Sequence, residues 1–124
     1  MIKIEIPKPD VVVTKQKLTG DAKDAKISSQ YGFVDFRLIS REKGGIILFY
    51  NADGELLYVG KARKLRQRVT KHFEDNVSPI KNHRDEVHKI AVFYVEDPTE
   101  REIYETYIIN KLQAKYNIDK VFFK

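Results

Sequence analysis

Hydrophobic and polar positions fall into blocks whose period changes along the chain. Ile2, Ile4 and Ile6 alternate with Lys3 and Glu5, which predicts a short strand stopped by Pro7 and Pro9. Val11, Val12 and Val13 predict another extended piece. Residues 15–26 are polar and read as loop or weak helix, and residues 33–39 alternate loosely as a further strand candidate.

From Gly44 the pattern sharpens. An apolar run over 46–50, the turn Asn51-Ala-Asp-Gly54 and a second apolar run over 55–59 predict a hairpin. The glycine of Asp-Gly supplies the positive φ that such turns require. After Gly60 the period lengthens: Leu65, Val69 and Phe73 recur four apart, a helix with one apolar stripe among basic residues. Ser78-Pro79 reads as an N-cap followed by a first-turn proline, opening a short helix toward His88. Residues 90–95 are rich in strand formers. Thr99-Glu-Arg-Glu102 fits a capping box and starts a helix to about Lys115, with Ile103, Tyr107, Ile108 and Leu112 as its apolar side. Tyr116-Asn117 ends it, and the apolar tail 121–123 is expected to pack back on the core.

The order β-β-α-α-β-α predicts an α+β domain over 44–124, with a small, mainly antiparallel sheet of three strands flanked by helices. Residues 1–43 form an N-terminal extension to which no chemistry attaches.

Composition narrows the classes. A chain of 124 residues suits one compact domain, and 42% hydrophobic residues allow it a core. The absence of cysteine excludes disulfides and thiolate metal sites and fits a reducing compartment. The first ten residues lack the apolar core of a signal peptide, and no window approaches a membrane span. A cytoplasmic protein with no membrane contact is therefore expected.

The net charge of +5 changes the picture through its distribution. Residues 61–71 hold six basic side chains (Lys61, Arg63, Lys64, Arg66, Arg68 and Lys71) and no acidic one. A patch so concentrated suits a polyphosphate backbone, and a solvated helix face is the plainer alternative. Nucleic acid, in the first place DNA, is the expected partner.

The segments GGIILFYNADGELLYVGKARKLRQRVTKHF and ETYIINKLQAKYN resemble the GIY-YIG nuclease superfamily over about residues 44–117. Within it they look most like the amino-terminal nuclease domain of UvrC and its small stand-alone relatives. The resemblance implies a metal-dependent endonuclease hydrolysing DNA phosphodiester bonds, with a place in DNA repair or recombination. The second family motif falls on Tyr58-Val59-Gly60, and its tyrosine acts as, or helps orient, the general base that deprotonates water. A phenol of pKa about 10 is a weak base at neutral pH unless cations favour the phenolate. Lys61 aligns with a family lysine and Arg68 with the arginine of the following helix. Both are expected to lower that pKa and to offset phosphate charge.

Glu105 aligns with the metal-binding glutamate, and one carboxylate with water and phosphate oxygens suits Mg2+ or Mn2+. Its helix neighbours Ile108 and Ile109 put it at the margin of an apolar face; a plain Glu105–Arg101 helix pair is the alternative. Glu102 is the rival carboxylate, already explained by the capping box. His72 stands where the family often carries tyrosine or histidine; it either assists proton transfer or touches phosphate from the helix surface. Gly60 and Asn117 match supporting positions, and Asn117 reads equally as a helix C-cap. His83 and His88, without metal-like spacing, read as surface or linker residues.

The first motif departs from the family. Gly-Ile-Tyr is here Gly45-Ile46-Ile47, and Ile47 cannot supply the hydroxyl that helps position the base. Tyr50, three positions further along a strand, points the other way. A catalytically weak or inactive nucleic-acid-binding module therefore remains the alternative to the nuclease. A structural or protein-interaction role, with a protein partner still to be found, is the third reading.

Overall fold

The structure, a computed structural model, describes residues 5–14, 38–74 and 78–117. Among them the chain runs β1 (Val11–Thr14), β2 (Gly45–Tyr50), β3 (Leu56–Ala62), α1 (Leu65–Glu74), a 3-10 turn (Arg84–Glu86), β4 (Lys89–Tyr94) and α2 (Pro98–Leu112). One sheet orders the strands β1-β4-β2-β3, and every neighbouring pair is antiparallel.

The hairpin β2–β3 forms as its turn chemistry requires. Gly54 has φ +83°, and its N–H donates to the Asn51 carbonyl at 3.1 Å. The Asn51 side-chain oxygen accepts from the N–H groups of Asp53 and Glu55, at 3.0 and 2.9 Å, so the turn is held by the residue that opens it. The register slips once, between Phe49 and Tyr50.

Both faces of the sheet are covered, which explains why β2 is apolar at every position rather than alternating. Ile47 and Phe49 face α1 and pack with Leu65, Val69 and Phe73 of that helix and with Ile90 and Val92 of β4. Ile46 and Leu48 face α2 and pack with Ala91, Phe93, Ile108 and Ile109. Each fully buried isoleucine or phenylalanine contributes roughly 1.5–3 kcal/mol through removal from water.

Several expectations need correction. The sheet has four strands, not three, because the Val11–Thr14 segment pairs with β4 in register from Val11 opposite Val92 to Thr14 opposite Lys89. No helix follows Ser78-Pro79; residues 79–82 are turns, and only the 3-10 turn has helical geometry. The Ser78 hydroxyl accepts from the Ile80 N–H as a cap would and also meets His72 Nδ1, but the chain continues as turns rather than helix. At α2 the N-cap is Asp97, whose side chain accepts from Thr99 N–H at 3.2 Å, with Pro98 as the first helical residue. The capping box at Thr99 thus has no role, and the helix ends at Leu112, with Gln113 left-handed at φ 50°.

The buried side of α2 is only partly the expected one: Ile108 is buried and Tyr107 packs against the core as expected, but Ile103 and Leu112 do not join them. Arg101, Glu105, Ile108 and Ile109 are buried, while Ile103 and Leu112 are about half exposed, at 48% and 46%. Hydrogen bonding makes the polar burial tolerable: Arg101 donates from its guanidinium to the carbonyls of Val95 and Glu96, each at 2.7 Å.

At the amino end, Ile6 lies outside any strand, and residues 1–4 fall outside the described part. The strand candidate over 33–39 is described only at Leu38 and Ile39, which are not in a strand. Residues 15–26 and the tail 121–123 lie outside the described residues.

Gly45 marks the closest approach within the sheet, where a Cβ would stand 2.0 Å from the Phe93 carbonyl oxygen. Because that oxygen belongs to backbone, Gly45→Ala is expected to destabilise the fold by about 3 kcal/mol. Urea denaturation, read as a drop in midpoint, checks this.

Candidate active site

The site lies at β3, the edge strand beyond β2, between α1 on one face of the sheet and α2 on the other. Tyr58 sits opposite Phe49 in the β2–β3 pairing, and their rings stack with centroids 5.9 Å apart. Gly60 follows on the same side of the strand. A Cβ there would come within 2.9 Å of the Tyr58 ring and 3.1 Å of its hydroxyl. The glycine of the Tyr-Val-Gly motif therefore leaves the space in which the phenol lies.

Helix α1 contributes two residues. His72, on its buried stripe and 5% exposed, meets the Tyr58 ring edge-on at 4.9 Å and the Phe49 ring at 5.4 Å. This excludes a histidine on the helix surface. Arg68 lies on the exposed side of α1, close enough for its charge to favour the Tyr58 phenolate. From α2 comes Glu105, 5% exposed, whose charge acts on Tyr58 in the opposite sense. Arg101, the alternative helix partner of Glu105, donates from Nε and one terminal nitrogen to the carbonyls of Val95 and Glu96.

Burial, then Glu105, push the Tyr58 phenol up to about 12, against the lowering by Arg68. Arg68 acts in the expected direction but does not prevail. Desolvation of the phenolate outweighs an exposed guanidinium, and Lys61 is committed to an ion pair with Glu102. Glu102, assigned from sequence to the capping box, is in fact the partner of Lys61 and also accepts from the Thr106 hydroxyl.

Asn117 is not a helix C-cap. Its side-chain amide donates to the Val59 carbonyl and accepts from the Val59 N–H, both at 2.8 Å, on the outer backbone edge of β3. It thereby fixes the residue next to Tyr58.

Among the basic residues, Arg63, Lys64, Arg68 and Lys71 line a shallow pocket of about 150 Å³ with Ala62 and Gln67. Arg66 turns away and donates to the Ile39 carbonyl at 2.8 Å. The structure thus gathers Tyr58, Gly60, Arg68, His72, Glu105 and Asn117, and leaves Lys61 paired with Glu102. Sequence reasoning missed the engagement of His72 by Ser78, because Ser78-Pro79 has the composition of a helix start. His83, half-buried, stacks on Tyr116 at 4.0 Å and bonds Glu86 at 2.7 Å, while His88 is exposed.

Among the described residues no three histidine or acidic side chains gather into a metal-binding group. Glu105 is a single buried carboxylate, a donor set that fits a hard cation retaining water and taking phosphate oxygens. None of the described helices is long and apolar enough to cross a membrane.

The GIY-YIG catalytic domain model matches residues 43–117, and the chain belongs to that nuclease family. Its sequence is 64% identical over its full length, and that of the relative, to the Bacillus subtilis protein named "Uncharacterized protein YurQ". It is 38% identical over 78 residues to UvrABC system protein C of Dictyoglomus thermophilum, a match that covers 62% of this chain but only 13% of that protein. Among solved structures, the N-terminal endonuclease domain of UvrC from Thermotoga maritima, bound to its catalytic magnesium, superposes with a TM-score of 0.57 at 27% identity. That match covers 63% of this chain and 86% of the solved one.

Two measurements test the geometry. In an alkaline absorbance titration, Tyr58 and Tyr116 should be the last tyrosines to ionise, both near 12, and Tyr58→Phe should reduce that late component to the share of Tyr116. Glu105→Gln, which deletes a raising charge, should move the Tyr58 share to lower pH. Asn117→Ala leaves the Val59 N–H and carbonyl without their side-chain partner and is expected to lower stability by about 1–3 kcal/mol in urea melts.

Proposed function

We propose that the chain is a metal-dependent endonuclease that hydrolyses DNA phosphodiester bonds by in-line attack of water. The observation that carries this reading is the convergence on one phenol, Tyr58, of a buried carboxylate, Glu105, and an exposed guanidinium, Arg68. Such a site meets the two needs of phosphodiester hydrolysis, an oriented water and compensation of phosphate charge.

In this proposal Glu105 holds Mg2+ or Mn2+. The bound cation would supply Lewis-acid stabilisation of the phosphate oxygens. Arg68 neutralises phosphate charge, and Arg63, Lys64 and Lys71 follow the backbone beside it. Burial disfavours the Tyr58 phenolate and pushes its pKa up to about 12. Tyr58 therefore serves as a neutral phenol that orients the attacking water. The relation to UvrABC system protein C supports a place in DNA repair or recombination.

A second reading, a nucleic-acid-binding module of weak activity, is favoured by Ile47. It is fully buried opposite Gly60, where the family places a tyrosine hydroxyl near the second-motif tyrosine.

Incubation of purified protein with branched, nicked and damaged DNA in Mg2+ or Mn2+ separates the two readings. The nuclease predicts cleavage that is lost on chelation and in Glu105→Ala, and that falls about 10²–10³-fold in Arg68→Ala. Salt-dependent binding without cleavage would establish the binding module instead.

A further inference from the structure

We propose that Ser78 is a positioning residue that locks the His72 ring in the Nε2–H tautomer, so that the imidazole offers the active site a hydrogen-bond donor rather than a base. This rests on the nuclease reading of the site. Ser78 and His72 are each 5% exposed, and Ser78 Oγ stands 2.6 Å from His72 Nδ1. At that separation the rotatable serine hydroxyl can place its proton on Nδ1. The same oxygen accepts from the Ile80 N–H at 3.3 Å, which turns its lone pairs toward backbone and its proton toward the ring. A neutral imidazole that accepts at Nδ1 carries its proton on Nε2.

The surrounding contacts hold His72 rather than merely cover it. Arg84 donates from Nε to the His72 carbonyl at 2.6 Å, so the segment after α1 grips both the backbone and the ring of one residue. The same segment reaches the far side of the site. Glu86 accepts from the Tyr116 hydroxyl at 2.9 Å, and Tyr116 adjoins the Asn117 that fixes Val59. Residues 78–86 thus link the supports of His72 and Tyr58, whose rings meet at 4.9 Å. Donation from His72 suits a site whose phenol is protonated, because the imidazole can then stabilise negative charge without competing for the proton of water.

Two-bond 1H–15N correlation spectra of the full chain with 15N-labelled histidine test the lock. Wild type should show His72 with an unprotonated, hydrogen-bonded Nδ1 and a protonated Nε2; a protonated Nδ1 overturns the proposal. Ser78→Ala should release the tautomer preference and reduce kcat for metal-dependent nicking about tenfold with KM unchanged. Ser78→Thr, which keeps the hydroxyl, should restore both. An unchanged kcat in a folded Ser78→Ala protein overturns the part of Ser78 in the reaction, as does a loss that Ser78→Thr fails to rescue. If wild type cuts none of the DNA substrates, the nuclease reading fails, and the tautomer lock is still decided by the wild-type spectrum.

Discussion

The outer backbone edge of β3 has to be satisfied without a neighbouring strand, and most of the site depends on how this is done. β3 pairs with β2 on one side only. On the other, the chain returning from α2 supplies donors from Lys115 and Tyr116 to the carbonyls of Leu56 and Leu57, at 3.2 and 2.8 Å. Asn117 then completes the edge with a two-way amide contact to Val59. A side-chain amide can satisfy an N–H and a carbonyl together, as a neighbouring strand would, yet ends the ladder there. Strand β3 is therefore rigid where it carries Tyr58. Because the segment that closes the edge follows α2, the placement of Glu105 and that of Tyr58 are mechanically joined.

That rigidity sets the electrostatics. The Tyr58 ring lies between Phe49 and His72 over a glycine, with too little water to favour a phenolate. Glu105 adds negative charge on one side and Arg68 positive charge on the other, and burial outweighs both. Lys61 does not enter this balance because Glu102 engages it on the α2 side. Glu102 and Glu105 of α2 thus differ in kind: the first is exposed and neutralised by a lysine, the second is buried beside the phenol.

The hairpin and α1 were legible in the sequence because each is dictated locally, by Asp53-Gly54 and by the spacing of Leu65, Val69 and Phe73. The positions brought together around Tyr58 were legible only through their likeness to a family, since residues as distant as 58, 72, 105 and 117 share no local signal. The misreadings occurred where two local rules competed. Asp97-Pro98 and Thr99 with Glu102 both describe a helix start, and the first prevailed because proline fits the opening turn and Asp97 reaches Thr99 N–H. Ser78-Pro79 has the composition of a helix start, but its serine is drawn into a buried contact with His72. Composition carries no trace of such a contact, which depends on how the turn folds back on α1. The elevated phenol pKa was likewise out of reach, because burial of Tyr58 depends on rings contributed by two other elements.

The family match begins at residue 43, whereas the sheet begins at residue 11. Strand β4 lies inside the sheet only because Val11–Thr14 pairs along its far side, and Asp10 adds a backbone N–H to the Val92 carbonyl and a carboxylate to the Tyr94 N–H. A chain trimmed to the matched region would leave the valine- and phenylalanine-bearing edge of β4 unpaired, a template for a strand from another molecule. The amino-terminal strand thus closes an edge that the matched region alone would leave open.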